Sequence, residues 1–255
     1  MIEKFKQNEH SNIAHVVGVV SGKGGVGKST VTTALAAELT RRGKKVGILD
    51  ADITGPSIPK AFGMEEMALS NGQEILPKES NAGVKVISVN LILGDPTQPV
   101  LWRGPIVGQA INQFFKDVRW GDLDYLLVDM PPGTGDVALT VFQSLPLDGV
   151  VIVSTPQQLV GQIVEKSINM AKLMNIKVLS LVENMSYFVC PSCMEKHYIF
   201  GESNIDEIAK KHKVENISKL PFDMTNAENM DHGYGDDIFI KELEPTVKEI
   251  LELEN

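Results

Sequence analysis

A doubly wound α/β fold, a mostly parallel sheet with helices on both faces, is what this sequence predicts. Three observations predict it. Short β-branched runs alternate with longer stretches of helical periodicity. The short runs are continuously apolar, as strands covered on both faces are. Of the 255 residues 43% are hydrophobic and 22% charged, which supplies a large core and excludes a chain disordered throughout.

The elements follow in order. Residues 15–21 (HVVGVVS) read as the first strand. The polar residues 1–14 are expected to form a flexible tail, and residues 15–255 a single domain. Residues 28–42 read as a helix, with Val31, Leu35 and Leu39 on one stripe and Gly43 at its end. Residues 46–50 (VGILD) are the second strand. Residues 53–83 are rich in Gly and Pro without a period, and are expected to be a functional excursion. Residues 85–89, 125–129, 150–154 and 177–183 continue the sheet, with helices over 106–118, 137–145 and 161–173 between them. Residues 217–220 suggest a late strand, and the chain ends in an acidic amphipathic helix. The Phe114–Phe115 pair and the ten methionines need only core or surface readings. Ligands of such sheets bind at the carboxyl ends of the strands. Ser21, Asp50, Asp129, Ser154 and Glu183 close predicted strands and mark where to look.

Charge and composition narrow the function classes. With 24 basic against 33 acidic residues the net charge is −9, which argues against a whole-surface nucleic-acid binder. No apolar run is long enough for a transmembrane helix, and the N-terminal residues lack the apolar stretch of a signal peptide. Cytoplasm is the expected compartment. Two cysteines make no disulfide scaffold.

Residues 22–29 (GKGGVGKS) fit a phosphate-binding P-loop, placed between a predicted strand and a predicted helix. Its glycines let successive N–H groups face phosphate oxygens, and the helix terminus adds partial positive charge. Gly22, Lys23, Gly24, Gly25, Val26, Gly27, Lys28, Ser29 and Thr30 are therefore the expected nucleotide-binding residues. Lys28 reaches the β/γ-phosphates and the Ser29 hydroxyl serves Mg²⁺. Lys23 is a second lysine inside the loop. Pointing away from its own nucleotide, it would serve the phosphates of a neighbouring subunit.

GKGGVGKS resembles the deviant P-loop of the MinD/ParA/nitrogenase-iron-protein class of ATPases, of the SIMIBI type, in which the counterpart of Lys23 reaches across a face-to-face homodimer. The resemblance implies that residues 50–57 (DADITGPS) are switch I, with Asp52 positioning the attacking water. It implies that Asp129, closing the apolar strand that opens YLLVDMPPGTGD, holds Mg²⁺, and that residues 131–135 are switch II. Asp136 reads as the N-cap of the next helix. Asn184 in VENM and Pro221 in PFD match the family's base-side positions, and the absence of an NKxD signature favours ATP over GTP.

Cys190 and Cys193 form CPSC. Three readings stand. Redox exchange wants a helix directly after the motif, and the following residues read as extended. Zinc wants four ligands, and the chain offers two thiolates with only His197 nearby. A 4Fe–4S cluster needs four thiolates, which two copies of the chain would supply together.

The combination resembles the Mrp-type (ApbC-like) iron–sulfur cluster carrier ATPases over nearly the whole chain, through GKGGVGKS, DADITGPS, DMPPGTGD and ENMSYFVCPSC…IFG. That likeness implies a homodimer that binds and slowly hydrolyses MgATP. It would hold a 4Fe–4S cluster on Cys190 and Cys193 of both subunits and pass it to apo iron–sulfur proteins. Met194 stands where the family usually has Gly, and Trp102–Arg103–Gly104 resembles an element near the dimer face. A MinD/ParA-like positioning ATPase, the first alternative, needs a lipid- or DNA-seeking surface, whereas residues 230–255 carry eight acidic groups against two lysines. A nitrogenase-iron-protein-like reductase draws its cysteines from separate segments, and this chain has none near DMPPGTGD.

Overall fold

The computed structural model describes residues 7–52, 55–70, 72, 74–93, 104–157 and 160–254. Its strands are β1 (Ser11–Ser21), β2 (Val46–Asp50), β3 (Leu69–Ser70), β4 (Ile75–Leu76), β5 (Lys78–Glu79), β6 (Lys85–Ile87), β7 (Gly121–Asp129), β8 (Gly149–Ser154), β9 (Lys177–Val189), β10 (Lys196–His197) and β11 (Ile217–Pro221). Its α-helices are α1 (Lys28–Arg41), α2 (Ile58–Ala61), α3 (Asn90–Leu93), α4 (Gly104–Lys116), α5 (Asp136–Ser144), α6 (Val160–Leu173), α7 (Ile205–His212), α8 (Met224–Asp231) and α9 (Glu244–Leu251).

Among the described residues nine strands form one sheet in the order β10-β9-β8-β1-β7-β2-β6-β5, with β11 also paired to β9. The strands from β9 to β6 run parallel, as does β11, while β10 and β5 are antiparallel additions at the two ends. Side chains alternate across the sheet, as the pleat requires. Val16, Leu126, Val128, Val150 and Ile152 enter one core with Ile111, Phe115, Phe142, Ile168 and Ile208 of α4–α7. Val17, Tyr125, Leu127, Val151 and Val153 enter the other with Leu35 and Leu39 of α1 and Val247 and Ile250 of α9. The helices therefore cover both faces, the expected doubly wound arrangement. Phe114 and Phe115 are both core.

Several boundaries differ from the sequence reading. β1 begins at Ser11, so residues 11–14 of the expected tail are strand; Ser11–Ile13 pair with Gly121–Leu123 of β7. β9 runs to Val189, six residues beyond the expected end at 183. It stays in the sheet because β11 pairs along it as far as Tyr187. Asp136 is the first residue of α5 and Gly135 its N-cap; the carboxylate sits in the first turn, favourable to the helix dipole, and makes no side-chain cap. α7 and α8 were not anticipated. Trp102, Arg103 and the switch I residues Ile53 and Thr54 lie outside the described residues. Among the described residues no helix is long and apolar enough to cross a membrane.

Candidate functional site

The parallel registers align Val19 with Asp129, Asp50 with Asp129, and Ser154 with Glu183. The carboxyl ends of β1, β2 and β7 therefore open onto one place, where the loop 22–29 leads into α1. Gly27 is the N-cap of α1, in the left-handed region at φ +80°. A Cβ there would lie 2.1 Å from the Asn184 amide nitrogen, so only glycine fits on both counts. Cβ positions at Gly24 and Gly25 meet nothing within 4 Å, which leaves the crest of the loop accessible.

Lys28 is 6% exposed, and its Nζ donates to Asp129 Oδ2 at 2.7 Å and lies 3.6 Å from Asp52 Oδ2. Ser29 Oγ donates to the same Asp129 oxygen at 2.6 Å, and Thr32 Oγ1 donates to Oδ1 at 2.7 Å. Asp50 is fully buried beside them and accepts from Ser88 Oγ at 3.1 Å. Burial works against the charge on Lys28, but Asp129, then Asp52 and Asp50, outweigh it and hold the ammonium above its usual pKa. Burial, reinforced by Asp129, pushes Asp50 up to about 8 against the pull of Lys28.

Among the described residues three carboxylates, Asp50, Asp52 and Asp129, gather around Lys28 in a buried cluster. Hard oxygen donors, with the Ser29 hydroxyl already on Asp129, are the chemistry that suits Mg²⁺. The predicted Lys28, Ser29, Asp52 and Asp129 are thus brought together, and Asp50 and Thr32 join them. Thr32 lies one helical turn after Lys28, a spacing visible in the sequence but too common to single out. The segment 131–135, expected as switch II, is tied to the loop's root, where Gly133 N–H donates to Ser21 O at 2.8 Å. Lys23 stands apart from this cluster: its Nζ donates to Gln157 Oε1 at 2.6 Å, at the surface.

Asn184 lies on β9 against the same loop. Its Nδ2 donates to Val26 O at 3.0 Å and its Oδ1 accepts from Met185 N–H at 3.0 Å. One N–H and one lone pair remain on the amide. Asn184→Ala strands the Val26 carbonyl and is expected to cost about 2 kcal/mol, a fall of roughly 4–8 °C in melting temperature. Calorimetry checks this. An unchanged melting temperature would mean that the amide does not brace the loop. Pro221 closes β11, and Asp223, two residues on, caps α8 by accepting from Thr225 N–H at 2.8 Å.

β9 ends one residue before Cys190. The chain turns through the CPSC segment, with Met194 N–H donating to Cys190 O at 2.8 Å and Cys190 N–H to Glu195 O at 3.0 Å. It returns as β10, with His197 opposite Phe188. Met194, in the family's usual glycine position, adopts the left-handed conformation at φ 60° and the turn closes. Both thiols are free; Cys190 is half-buried and Cys193 exposed. Backbone N–H groups of Cys193 and Ser192 reach the Cys190 sulfur and hold its pKa below the usual thiol value. His197, noted in the sequence only as lying near the two thiolates, has a ring nitrogen within 4.8 Å of both sulfurs. The signal that would have found it is the hairpin register, which the expected end of β9 at 183 concealed. Beyond the hairpin, buried Glu183 accepts from Ser186 Oγ at 2.7 Å and from Ser203 Oγ, fastening the returning chain to β9.

Residues 12–253 match the ParA family, in the description NUBPL iron-transfer P-loop NTPase. This chain belongs to that family. The NUBPL-type assignment agrees with its relatives. It is 49% identical over 232 residues to a Methanocaldococcus jannaschii protein named iron-sulfur cluster carrier protein, covering 90% of this chain and 80% of the relative. A Clostridium perfringens protein of the same name is 47% identical, covering 88% and 81%. Among solved structures, a nucleotide-binding protein of Archaeoglobus fulgidus in complex with ADP, with Co, aligns at TM-score 0.79 and 46% identity, covering 88% of each chain. The Pyrococcus furiosus cell division ATPase MinD aligns at TM-score 0.63 over 94% of this chain and 98% of its own, and at 19% identity it bears on the NTPase fold alone.

Proposed function

We propose that this NUBPL-type NTPase is an iron–sulfur cluster carrier that hydrolyses ATP as a homodimer in the cytoplasm and passes a 4Fe–4S cluster to apo-proteins. The observation that carries the reading is one of connectivity. The strand that braces the P-loop at Asn184 is the strand that ends at the cysteine hairpin, with Cys190 directly after its last residue Val189. A change in the P-loop at Val26 is thereby felt by the element that carries Cys190. Glu183, holding Ser186 and Ser203, makes the two sides of the hairpin move together.

In turnover the loop's N–H groups and Lys28 take the phosphates of ATP, and the remaining valences of Asn184 suit adenine N6 and N7. Bound Mg²⁺, which Ser29 and Asp129 would hold, supplies charge neutralisation at the phosphates. Asp52 orients water, where positioning counts for more than basicity. Lys23 leaves Gln157 to meet the partner's nucleotide. Two thiolates from each chain give the four that a cubic cluster requires as cargo. A positioning role would give the cysteine hairpin no task.

The reading is tested by anaerobic reconstitution with iron and sulfide, then incubation with an apo iron–sulfur enzyme with and without MgATP. About four irons per dimer and nucleotide-dependent activation of the acceptor are expected. A protein that takes up no cluster, or holds one without yielding it, overturns the proposal. Lys23→Ala removes only an exposed hydrogen bond, so its melting temperature should be unchanged while ATP turnover falls about 100-fold, the worth of one charge-directed donor. Full turnover in this variant would remove Lys23 from the reaction.

A further inference from the structure

The geometry points to a second occupancy of the hairpin: Cys190, Cys193 and His197 of one chain together bind a single zinc-class divalent ion, with no second copy required. All three donor atoms lie within 4.8 Å of one another. In a tetrahedral site with thiolate and imidazole ligands the sulfur–nitrogen separation is about 3.5 Å, so small side-chain rotations suffice to close the set.

The backbone already holds the donors in place. The β9–β10 pairing sets His197 opposite Phe188, two positions before Cys190. The turn between them is closed by two backbone hydrogen bonds. Two thiolates and one imidazole are a donor set that suits zinc and exclude a preference for calcium or magnesium, which take oxygen. Three protein ligands leave the fourth tetrahedral position open. Glu195, whose carboxylate lies 3.9 Å from the Cys193 sulfur, or a water molecule can fill it. Such an ion is exchangeable, unlike one closed in by four protein ligands.

The inference shares its sulfurs with the carrier reading, and rests on it only for what the ion competes with. A cluster bridging two chains takes two thiolates from each and leaves His197 out. A single ion takes its ligands from one chain. The two occupancies exclude each other, so a chain loaded with one ion is held back from bridging.

Reduced, nucleotide-free protein is titrated with Zn²⁺ against a chromophoric chelator, beside His197→Ala, with sedimentation to fix the oligomeric state. One Zn²⁺ per monomeric chain is expected. Loss of an outer partner of a metal ligand costs up to about 100-fold in affinity, so the loss of His197 itself should cost at least that. His197 is exposed on the hairpin, so the fold tolerates its removal. Co²⁺ in place of Zn²⁺ should give the ligand-field spectrum of a four-coordinate sulfur–nitrogen site in the wild type and lose it in the variant. One ion per two chains, or equal affinity in wild type and variant, overturns the inference. Cluster assembly by the wild type is read separately: its failure strikes the carrier reading and leaves the zinc measurement to decide this one.

Discussion

Cys190→Ser and Cys193→Ser are each expected to leave the proposed carrier without a cluster, bringing iron from about four per dimer to near zero after anaerobic reconstitution. The loss should be complete because the proposed two-fold symmetry doubles each substitution: a single change would remove two of the four thiolates. A serine hydroxyl replaces the sulfur in shape but is not ionised near neutral pH, and a neutral hydroxyl does not replace an iron-bound thiolate. The two variants separate on a second ground. Cys190 lies at the end of β9, half-buried, with backbone N–H groups of Cys193 and Ser192 directed at its sulfur. Cys193 is exposed and has less holding it. Neither contributes to the two cores, so each variant should melt within a few degrees of the wild type, surface changes being worth about 0.5 kcal/mol. Iron and sulfide assay with a thermal melt reads both. Either variant retaining a full complement of cluster would remove the thiols from cargo binding.

Much of this architecture is legible in the sequence, and the exceptions have physical causes. β2 is found at 46–50 and α1 at 28–41 as the pattern predicts, because continuous apolar runs and a three-to-four residue stripe are local signals. The P-loop is legible for the same reason: its spacing is contiguous. The second half of β9 is not, because Glu183, Asn184 and Ser186 interrupt the apolar run with polar groups. Those groups are buried only because Val26, Ser203 and one another satisfy them. His197 escapes because its significance lies in an antiparallel register across a turn, which no periodicity announces. Asp50 stands in the sequence as one more strand-ending carboxylate. Its weight comes from three neighbours of like or opposite charge contributed by two other elements and the loop after β2.

Lys28→Ala is expected to do more than stop turnover. Loss of the P-loop lysine proposed to reach the phosphates should lower ATP turnover about 1000-fold. The same lysine is also the counter-charge of a buried cluster. It is 6% exposed, 2.7 Å from Asp129 and 3.6 Å from Asp52, with Asp50 behind. Removing one member of such a pair leaves an uncompensated buried charge and costs about 4 kcal/mol, which for a chain of this size lowers the melting temperature by about 10 °C. The pH dependence has a definite sign. Asp50 is already raised from 3.8 to about 8 in the folded protein. Across that window the folded state keeps a proton that the unfolded chain has released, so its contribution is full below about pH 4 and is lost as pH rises through about 8. Without Lys28 the mutual repulsion of the three carboxylates loses the counter-charge that opposes it. The variant should therefore lose stability more steeply with rising pH than the wild type, and Mg²⁺ alone should restore more of it, since an added cation meets the deficit the lysine leaves. Melting curves across pH, with and without Mg²⁺, decide the matter. A variant as stable as the wild type at pH 8, and indifferent to Mg²⁺, would show that the carboxylates at the strand ends do not form the cation site that the nucleotide chemistry requires.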